Sequence, residues 1–453
     1  MSNGQRRPAS IFSGLVMILF GTLFLLHTLR GDLGIGHLLR TWWPVLLIVW
    51  GLVKLVERMA AHRHGTTAPR TITGGEILLV LSLLTLVGLV VAREKMSEVF
   101  GREGELHDIL GGNTYTFELS VPPKPVPANA RIAVRTTRGD VTIRAEDTAE
   151  LQVTATKRIS AWSESEADRL AAPVTVVVEQ TAEGFDVHPQ GGESESGRVG
   201  VDIEVRVPKK AAVSVRNRRG DIQVSGVEGS VSINNQRGNI EIRDCADVNV
   251  DMNRGDAKVS DTKGNVKISG RGGEVEVLNA SGTLTLNGEF FGSIRAERIA
   301  KGVRFVSQRT DLTVSQLSGR LETGAGNLEL VDAPGNVTLR THAKDISMEN
   351  AGGKVEIENR GGNVELRFSQ PPKDDISVSN ASAGITLKLP SSAAFEIAAD
   401  SRSGEIDSEF SGSGLKQTED ERGNAHLEGK VGVRGPKITL KTTYGQINIR
   451  KLS

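Results

Sequence analysis

The sequence predicts an all-β protein: a parallel β-solenoid of nine-residue legs, two legs to a coil, preceded by three N-terminal transmembrane helices. Three observations predict it. Gly supplies 51 of 453 residues, while the aromatics are only 12 Phe, 4 Trp and 2 Tyr. An apolar–polar–apolar triplet recurs at nine-residue intervals through the second half of the chain. Three long apolar runs fall within residues 11–92. Gly is well above the usual ~7%, yet without the strict three-residue period of collagen. One Cys excludes an intrachain disulfide framework and a Cys-based zinc site. The 55 basic residues balance 55 acidic ones, which gives no electrostatic case for nucleic acid as a partner.

Residues 1–96 read as a membrane anchor with helices near 11–29, 43–57 and 76–92. The first run carries no charge and is close to the ~20 residues that a helix needs to cross a bilayer. Trp42 and Trp43 stand before the second run and suit the membrane interface, and Lys54 near its far end can snorkel. These three residues are the expected contacts to membrane lipid. The second and third runs are short and need local thinning of the bilayer. Arg6 and Arg7 precede the first helix, and Arg58, Arg63 and Arg70 follow the second. Counting Lys and Arg places both segments in the cytoplasm, so three crossings put the rest of the chain outside it.

Residues 97–130 read as a linker and lead-in, with a Pro-rich stretch at 121–127. Residues 131–210 read as a β-rich N-terminal cap. Strands are expected at 131–136, 140–144, 151–157, 174–179, 185–188 and 201–207. One helix is expected at 162–170, N-capped by Ser160 or Ser163.

Residues 211–453 carry the repeat and its C-terminal cap. Gly220-Asp221-Ile222-Gln223-Val224 and Gly238-Asn239-Ile240-Glu241-Ile242 are typical units. Nineteen triplets begin between 222 and 385, and fourteen of the eighteen steps between them are nine residues. The middle residue is polar in every triplet, and the third is apolar in all but one, where Thr323 stands. Period two marks short strands with their outer residues turned inward. A fixed short period marks a solenoid. One leg cannot close a coil. The similar corners 217–220 and 235–238 lie 18 apart, which favours two legs over three. About ten coils would then make a rod of roughly 45–50 Å. In this arrangement Glu241, Lys258, Glu276 and Arg295 become outward neighbours of alternating charge, the candidate binding ladder. Past residue 389 the period loosens, residues 412–432 are polar, and 437–440 and 446–449 restore two legs.

The Gly-Asp-Ile-Gln-Val units, the segment Val205-Arg206-Val207-Pro208-Lys209 and the closing Tyr444-Gly445-Gln446-Ile447-Asn448-Ile449 resemble a bacterial family of β-solenoid domains known as candidate adhesins. The resemblance covers roughly residues 131–450. These are turn and core residues, so they mark fold strongly and function weakly. The membrane stretch with Trp42-Trp43-Pro44-Val45-Leu46-Leu47-Ile48 and Gly51 is similar to LiaF/LiaI-type envelope-stress proteins. Together the resemblances imply an envelope protein and supply no catalytic residues.

Sequence motifs for chemistry are sparse. Three Arg-Gly-Asp tripeptides begin at Arg138, Arg219 and Arg254, but Arg237-Gly238-Asn239 fills an equivalent place without Asp, so each reads as a corner before a strand. No turn repeats the Asp set that calcium needs. The acidic run Glu419-Asp420-Glu421 lies in a polar stretch, and His107, His188, His342 and His426 stand far apart. Phe290 and Phe291 read as a corner packed into the core, and Cys245 as an inert thiol at a turn. The expectation is a membrane-anchored, extracytoplasmic binding or adhesin-like protein, with no cofactor and no enzymatic activity. Its partner would be an envelope polymer or another envelope protein. One alternative is an envelope-stress regulator. A polysaccharide-active enzyme is a further alternative, but it lacks a carboxylate cluster in the sequence. Residues 1–96 hold 10 basic and 4 acidic residues, so the remainder holds 45 and 51, a net of −6. Overall neutrality thus averages a basic anchor and a mildly acidic rod.

Overall fold

The computed structural model describes residues 113–191, 198–412 and 414–452. The three expected membrane helices, with Trp42, Trp43 and Lys54, lie outside the described residues. Among the described residues no helix is long and apolar enough to cross a membrane.

Two legs make one coil. The leg Ile222–Ser225 pairs in parallel with Ile240–Arg243, Ile222 opposite Ile240. The intervening leg Val231–Asn235 pairs with Ala212–Asn217 on one side and Val248–Met252 on the other. Alternate legs therefore stack into two facing sheets. One sheet holds sixteen strands, from Asn113–Pro125 at one end to Ile406–Ser408 at the other. At ~4.8 Å per strand that spans roughly 70 Å. It exceeds the sequence expectation because the capping strands join the same stack. Between the sheets the triplets' outer residues form one continuous apolar core; Ile222, Ile240, Ile242, Val259 and Ile268 are each at most 1% exposed. Full burial of such a side chain is worth roughly 1.5–3 kcal/mol. Identical narrow slots one rung apart suit Val, Ile and Leu, which explains the scarcity of aromatics.

The corners explain the glycines. Gly139, Gly220, Gly238 and Gly255 follow one another up the stack with φ between 125° and 137°. A Cβ at Gly238 would come within 2.1 Å of the Gly220 carbonyl oxygen on the next coil. Beside this column runs a ladder of buried amides. Asn235 Nδ2 donates to the carbonyls of Gly220 and Gly238, both at 3.2 Å, and Asn217 Nδ2 donates to those of Gly139 and Gly220 at 3.1 and 3.2 Å. These donors satisfy corner carbonyls that the strand ladders leave free.

The stack departs from an all-parallel solenoid at one coil. The legs Thr310–Val314 and Leu317–Thr323 run antiparallel to both flanking coils. A tight hairpin starts the reversal: Ser307 N donates to Thr310 O at 2.8 Å, and Ser307 Oγ accepts from Thr310 N at 3.1 Å. A second turn, with Gly324 N donating to Asn327 O at 3.1 Å, restores the direction. Thr323, the odd third position, faces inward at 2% exposure, and its hydroxyl donates to Asn327 O at 2.8 Å.

Both ends interleave. The pair Arg131–Thr136 and Val141–Glu146, expected in a separate cap, forms a coil slotted between Gly184–Gln190/Val199–Pro208 and Ala212–Asn217/Ile222–Ser225. At the far end Lys437–Thr442 and Ile447–Leu452 insert between the coil at Ile376–Pro390 and the strands Phe395–Ser401 and Ile406–Ser408. Each end coil is thus held by a later or earlier stretch of chain. The expected lead-in is a strand, Asn113–Pro125, antiparallel to Glu150–Ala161. Its alternating Tyr115, Phe117, Leu119 and Val121 give it the period of a half-buried strand. The polar stretch near 412–432 forms a hairpin, Leu415–Glu419 with Ala425–Val431. The helix spans Glu164–Ala171. Ser163 caps it by accepting from Glu166 N at 3.3 Å, and Glu166 in return accepts from Trp162 N at 3.0 Å. It packs Ala167 and Ala171 on Ile159 and Ala161 as a small core of its own.

Candidate functional site

The outward faces of the solenoid carry its chemistry. Period two places each triplet's middle residue in solvent, and the 18-residue coil stacks those residues one rung apart. Glu241 lies opposite Lys258, Lys258 opposite Glu276, and Glu276 opposite Arg295 on four successive strands of one sheet. Lys258 Nζ reaches Glu276 Oε2 at 2.7 Å. Glu241 turns along its own strand to Arg243, and Arg295 Nε bonds Glu297 Oε1 at 2.8 Å. That hydrogen bond, reinforced by the Glu297 charge, raises the Arg295 pKa above its ordinary value. The antiparallel coil continues the column with Glu322, opposite Arg295. An open depression of about 400 Å³ flanks the ladder, lined by Asp221, Glu241, Asp256, Lys258, Glu274 and Glu276. It is a shallow acidic trough with one cation.

Each Arg-Gly-Asp carboxylate binds the backbone of its own rod. Asp140 Oδ1 accepts from Asp221 N at 2.9 Å, Asp221 Oδ1 from Asn239 N at 2.7 Å, and Asp256 Oδ1 from Glu274 N at 2.8 Å. Asn239 fills the same place in the column, accepting from Asp256 N at 3.0 Å. An Asn serving equally well shows that the corner needs a side-chain acceptor rather than a charge.

The other sequence candidates separate. Among the described residues no group of His, Cys, Asp and Glu is placed to hold a metal ion. Cys245 is buried; its thiol donates to Arg243 O at 3.2 Å, and burial pushes its pKa up, which disfavours the thiolate. Asp420, in the acidic run, closes a turn by accepting from Arg422 N at 2.8 Å and Asn424 N at 2.9 Å. Phe290 packs against the core as expected, but Phe291, the next residue, is 80% exposed.

One cluster is absent from the sequence reading. His426 Nδ1 lies 2.6 Å from Asp400 Oδ1, and its Nε2 lies 3.4 Å from Glu428 Oε2. The antiparallel pairing of Phe395–Ser401 with Ala425–Val431 sets Asp400 opposite His426. The hydrogen bond to Asp400 raises the His426 pKa above its ordinary 6.5. The only sequence signal was the alternation His426-Leu427-Glu428, which puts His and Glu on one side of a strand.

Comparison with known proteins accounts for both parts of the chain. Residues 129–450 match the family model described as Toastrack DUF4097, and residues 12–95 match the LiaF transmembrane domain. No curated protein matches. Solved structures similar to this chain include a candidate cell adhesion protein from Clostridium sporogenes, at 9% identity over 75% of this chain and 100% of that one, TM-score 0.19. Another is a candidate adhesin from Bacteroides fragilis, at 12% identity over 74% and 97%, TM-score 0.20. A third, from Parabacteroides merdae, shows 8% identity over 76% and 97%, TM-score 0.22. With a family model matched over most of its length, and a membrane-domain match ahead of it, the chain belongs to the Toastrack DUF4097 family.

Proposed function

We propose that the protein is a multi-pass membrane protein holding a rigid β-solenoid outside the cytoplasm as a non-enzymatic, adhesin-like binding surface for envelope polymers or envelope proteins. The observation that carries this reading is the union in one chain of a LiaF transmembrane match with a long rod whose outward residues form charged ladders. A rod displays the same side-chain position every ~4.8 Å, which suits extended partners better than small ligands. The ladder Glu241, Lys258, Glu276 and Arg295 is one proposed contact face. The positive-inside count at Arg6, Arg7, Arg58, Arg63 and Arg70 supports the orientation. The LiaF match also favours a second reading, in which the membrane part contacts a regulatory partner and the rod senses the envelope.

Protease added to intact cells or spheroplasts tests the first reading. Cleavage of the rod with the cytoplasmic membrane intact is the expected result. Full protection until the membrane is lysed would refute the orientation and the adhesin-like reading with it. Crosslinking in membranes separates the two readings: partners mapping to the solenoid face support binding, and partners mapping to residues 12–95 support regulation.

A further inference from the structure

The Arg-Gly corners form one column. Gly139 N donates to Arg219 O at 2.9 Å, Gly220 N to Arg237 O at 3.0 Å and Gly238 N to Arg254 O at 3.0 Å. Arg138, Arg219, Arg237 and Arg254 therefore stand at one corner on four successive coils, about 4.8 Å apart. Arg219 and Arg254 are exposed, and Arg237 is half-buried. The basic face widens toward the second sheet. There a depression of about 410 Å³ is lined in part by Arg135, His188, Arg216, Arg218, Asn234 and Gln236.

These cations are mostly unspent. Arg135 pairs with Asp186. Among the described residues, Arg216, Arg218, Arg219, Arg237 and Arg254 have no carboxylate within ion-pair distance and no side-chain hydrogen bond. Burial lowers the Arg138 pKa, and the Arg219 charge on the adjacent rung adds a smaller effect of the same sign. The acidic neighbours lie to either side. Asp140, Asp221 and Asp256 stand across the Gly, with carboxylates accepting backbone N–H groups. Asp251 accepts from Asn234 Nδ2 at 3.4 Å. Crowding like charges on a rod is unfavourable in the free protein and is relieved when a partner brings the opposite charge at the same interval.

We propose that this arginine corner binds a linear polyuronate lying along the rod, its carboxylates meeting successive arginines. Arginine's planar fork matches a carboxylate with two parallel hydrogen bonds. Gln236 and Asn253 precede Arg237 and Arg254 on the same coils and offer amides to sugar hydroxyls. Avidity then comes from many weak contacts in register. The inference rests on the reading of the rod as an envelope-polymer binder and names the polymer class.

The test uses the full chain in lipid nanodiscs. Binding to immobilised polygalacturonate is measured, with free galacturonic acid, a neutral galactan and inorganic polyphosphate as comparison probes. Polygalacturonate is expected to bind, to weaken steeply with added salt, and to outcompete galacturonic acid at equal carboxylate concentration. The triple variant Arg219→Gln, Arg237→Gln, Arg254→Gln is expected to lose about tenfold in affinity, the size of three exposed ion pairs. A charge-matched control at Lys416→Gln, Arg434→Gln and Lys441→Gln, exposed and far along the chain, is expected to stay within about twofold. If circular dichroism shows the triple variant unfolded, Arg218→Gln with Arg219→Gln on one coil replaces it, with about threefold loss expected. Unchanged binding in the corner variants, equal loss in the control, or the monomer matching the polymer would overturn the proposal. Binding of polyphosphate in preference to polygalacturonate would also overturn it. The assay reads binding irrespective of which side of the membrane the rod occupies, so it fails independently of the protease test.

Discussion

Replacing Gly238 with Ala sets the corner geometry against the tolerance of a repeat array. The structure supplies two separate penalties. The residue has φ +127°, outside the range of L side chains, and strain of this kind costs about 1–3 kcal/mol. Its new Cβ would also lie 2.1 Å from the Gly220 carbonyl oxygen, backbone of the adjoining coil that cannot swing aside as a side chain would. Relief means spreading two coils and weakening the ladder Ile222–Ser225 to Ile240–Arg243. The total loss should reach about 3 kcal/mol or more, at the severe end for a point substitution. Two other glycines isolate the terms. Gly423 has φ +77° with open space around the Cβ position, so Gly423→Ala should show strain alone, about 1–2 kcal/mol. At Gly326 no atom lies within 4 Å of that position and φ is not in the left-handed range, so Gly326→Ala should be neutral within ~0.5 kcal/mol. Denaturant unfolding followed by circular dichroism of the β signal ranks the three. If Gly238→Ala proves as mild as Gly326→Ala, the close approach between coils is wrong and the corner argument falls.

Two further outcomes follow from charge. Lys258→Glu would place three carboxylates on consecutive rungs with Glu241 and Glu276, turning two pairings worth ~0.2–1 kcal/mol each into repulsions. A loss of roughly 1–2 kcal/mol is expected at low ionic strength, shrinking in 1 M salt; a loss indifferent to salt would exclude an electrostatic ladder. His426 works in the opposite pH direction from a paired carboxylate. Its folded pKa is raised by Asp400, so its stabilisation is fully present below the unfolded pKa near 6.5 and fades as pH rises through the higher folded value. Amides of Ala425–Val431 should therefore lose hydrogen-exchange protection, corrected for intrinsic rate, as pH rises above about 6.5. His426→Gln should flatten that profile, whereas an unchanged profile in the variant would remove His426 as its source.

What the sequence revealed follows from where each interaction lies along the chain. The coil was legible because its cause is local and repeated: a triplet sets the strand, Gly sets the corner, and the interval between them sets the stack. Leg pairing across 18 residues, and with it the column Glu241, Lys258, Glu276 and Arg295, is a direct consequence of that period. Reversal of one coil left only two traces, the seven-residue step from 321 to 328 and Thr323 in an apolar slot. A nine-residue period is blind to direction, because a strand and its reverse present the same alternating faces. The interleaved ends left no trace at all. Nothing in residues 437–452 says that they fill a space between 376–390 and 395–408, since the same inward Ile and Leu would serve any slot in the stack. His426 and Asp400 met for the same reason, through a hairpin pairing that brings together residues 26 apart. The arginine column shows the converse case. Its tripeptides were plain in the sequence, yet read one at a time they were only corners. Stacking alone makes Arg138, Arg219, Arg237 and Arg254 neighbours, so a repeat with an unremarkable unit acquires a face that no single unit has.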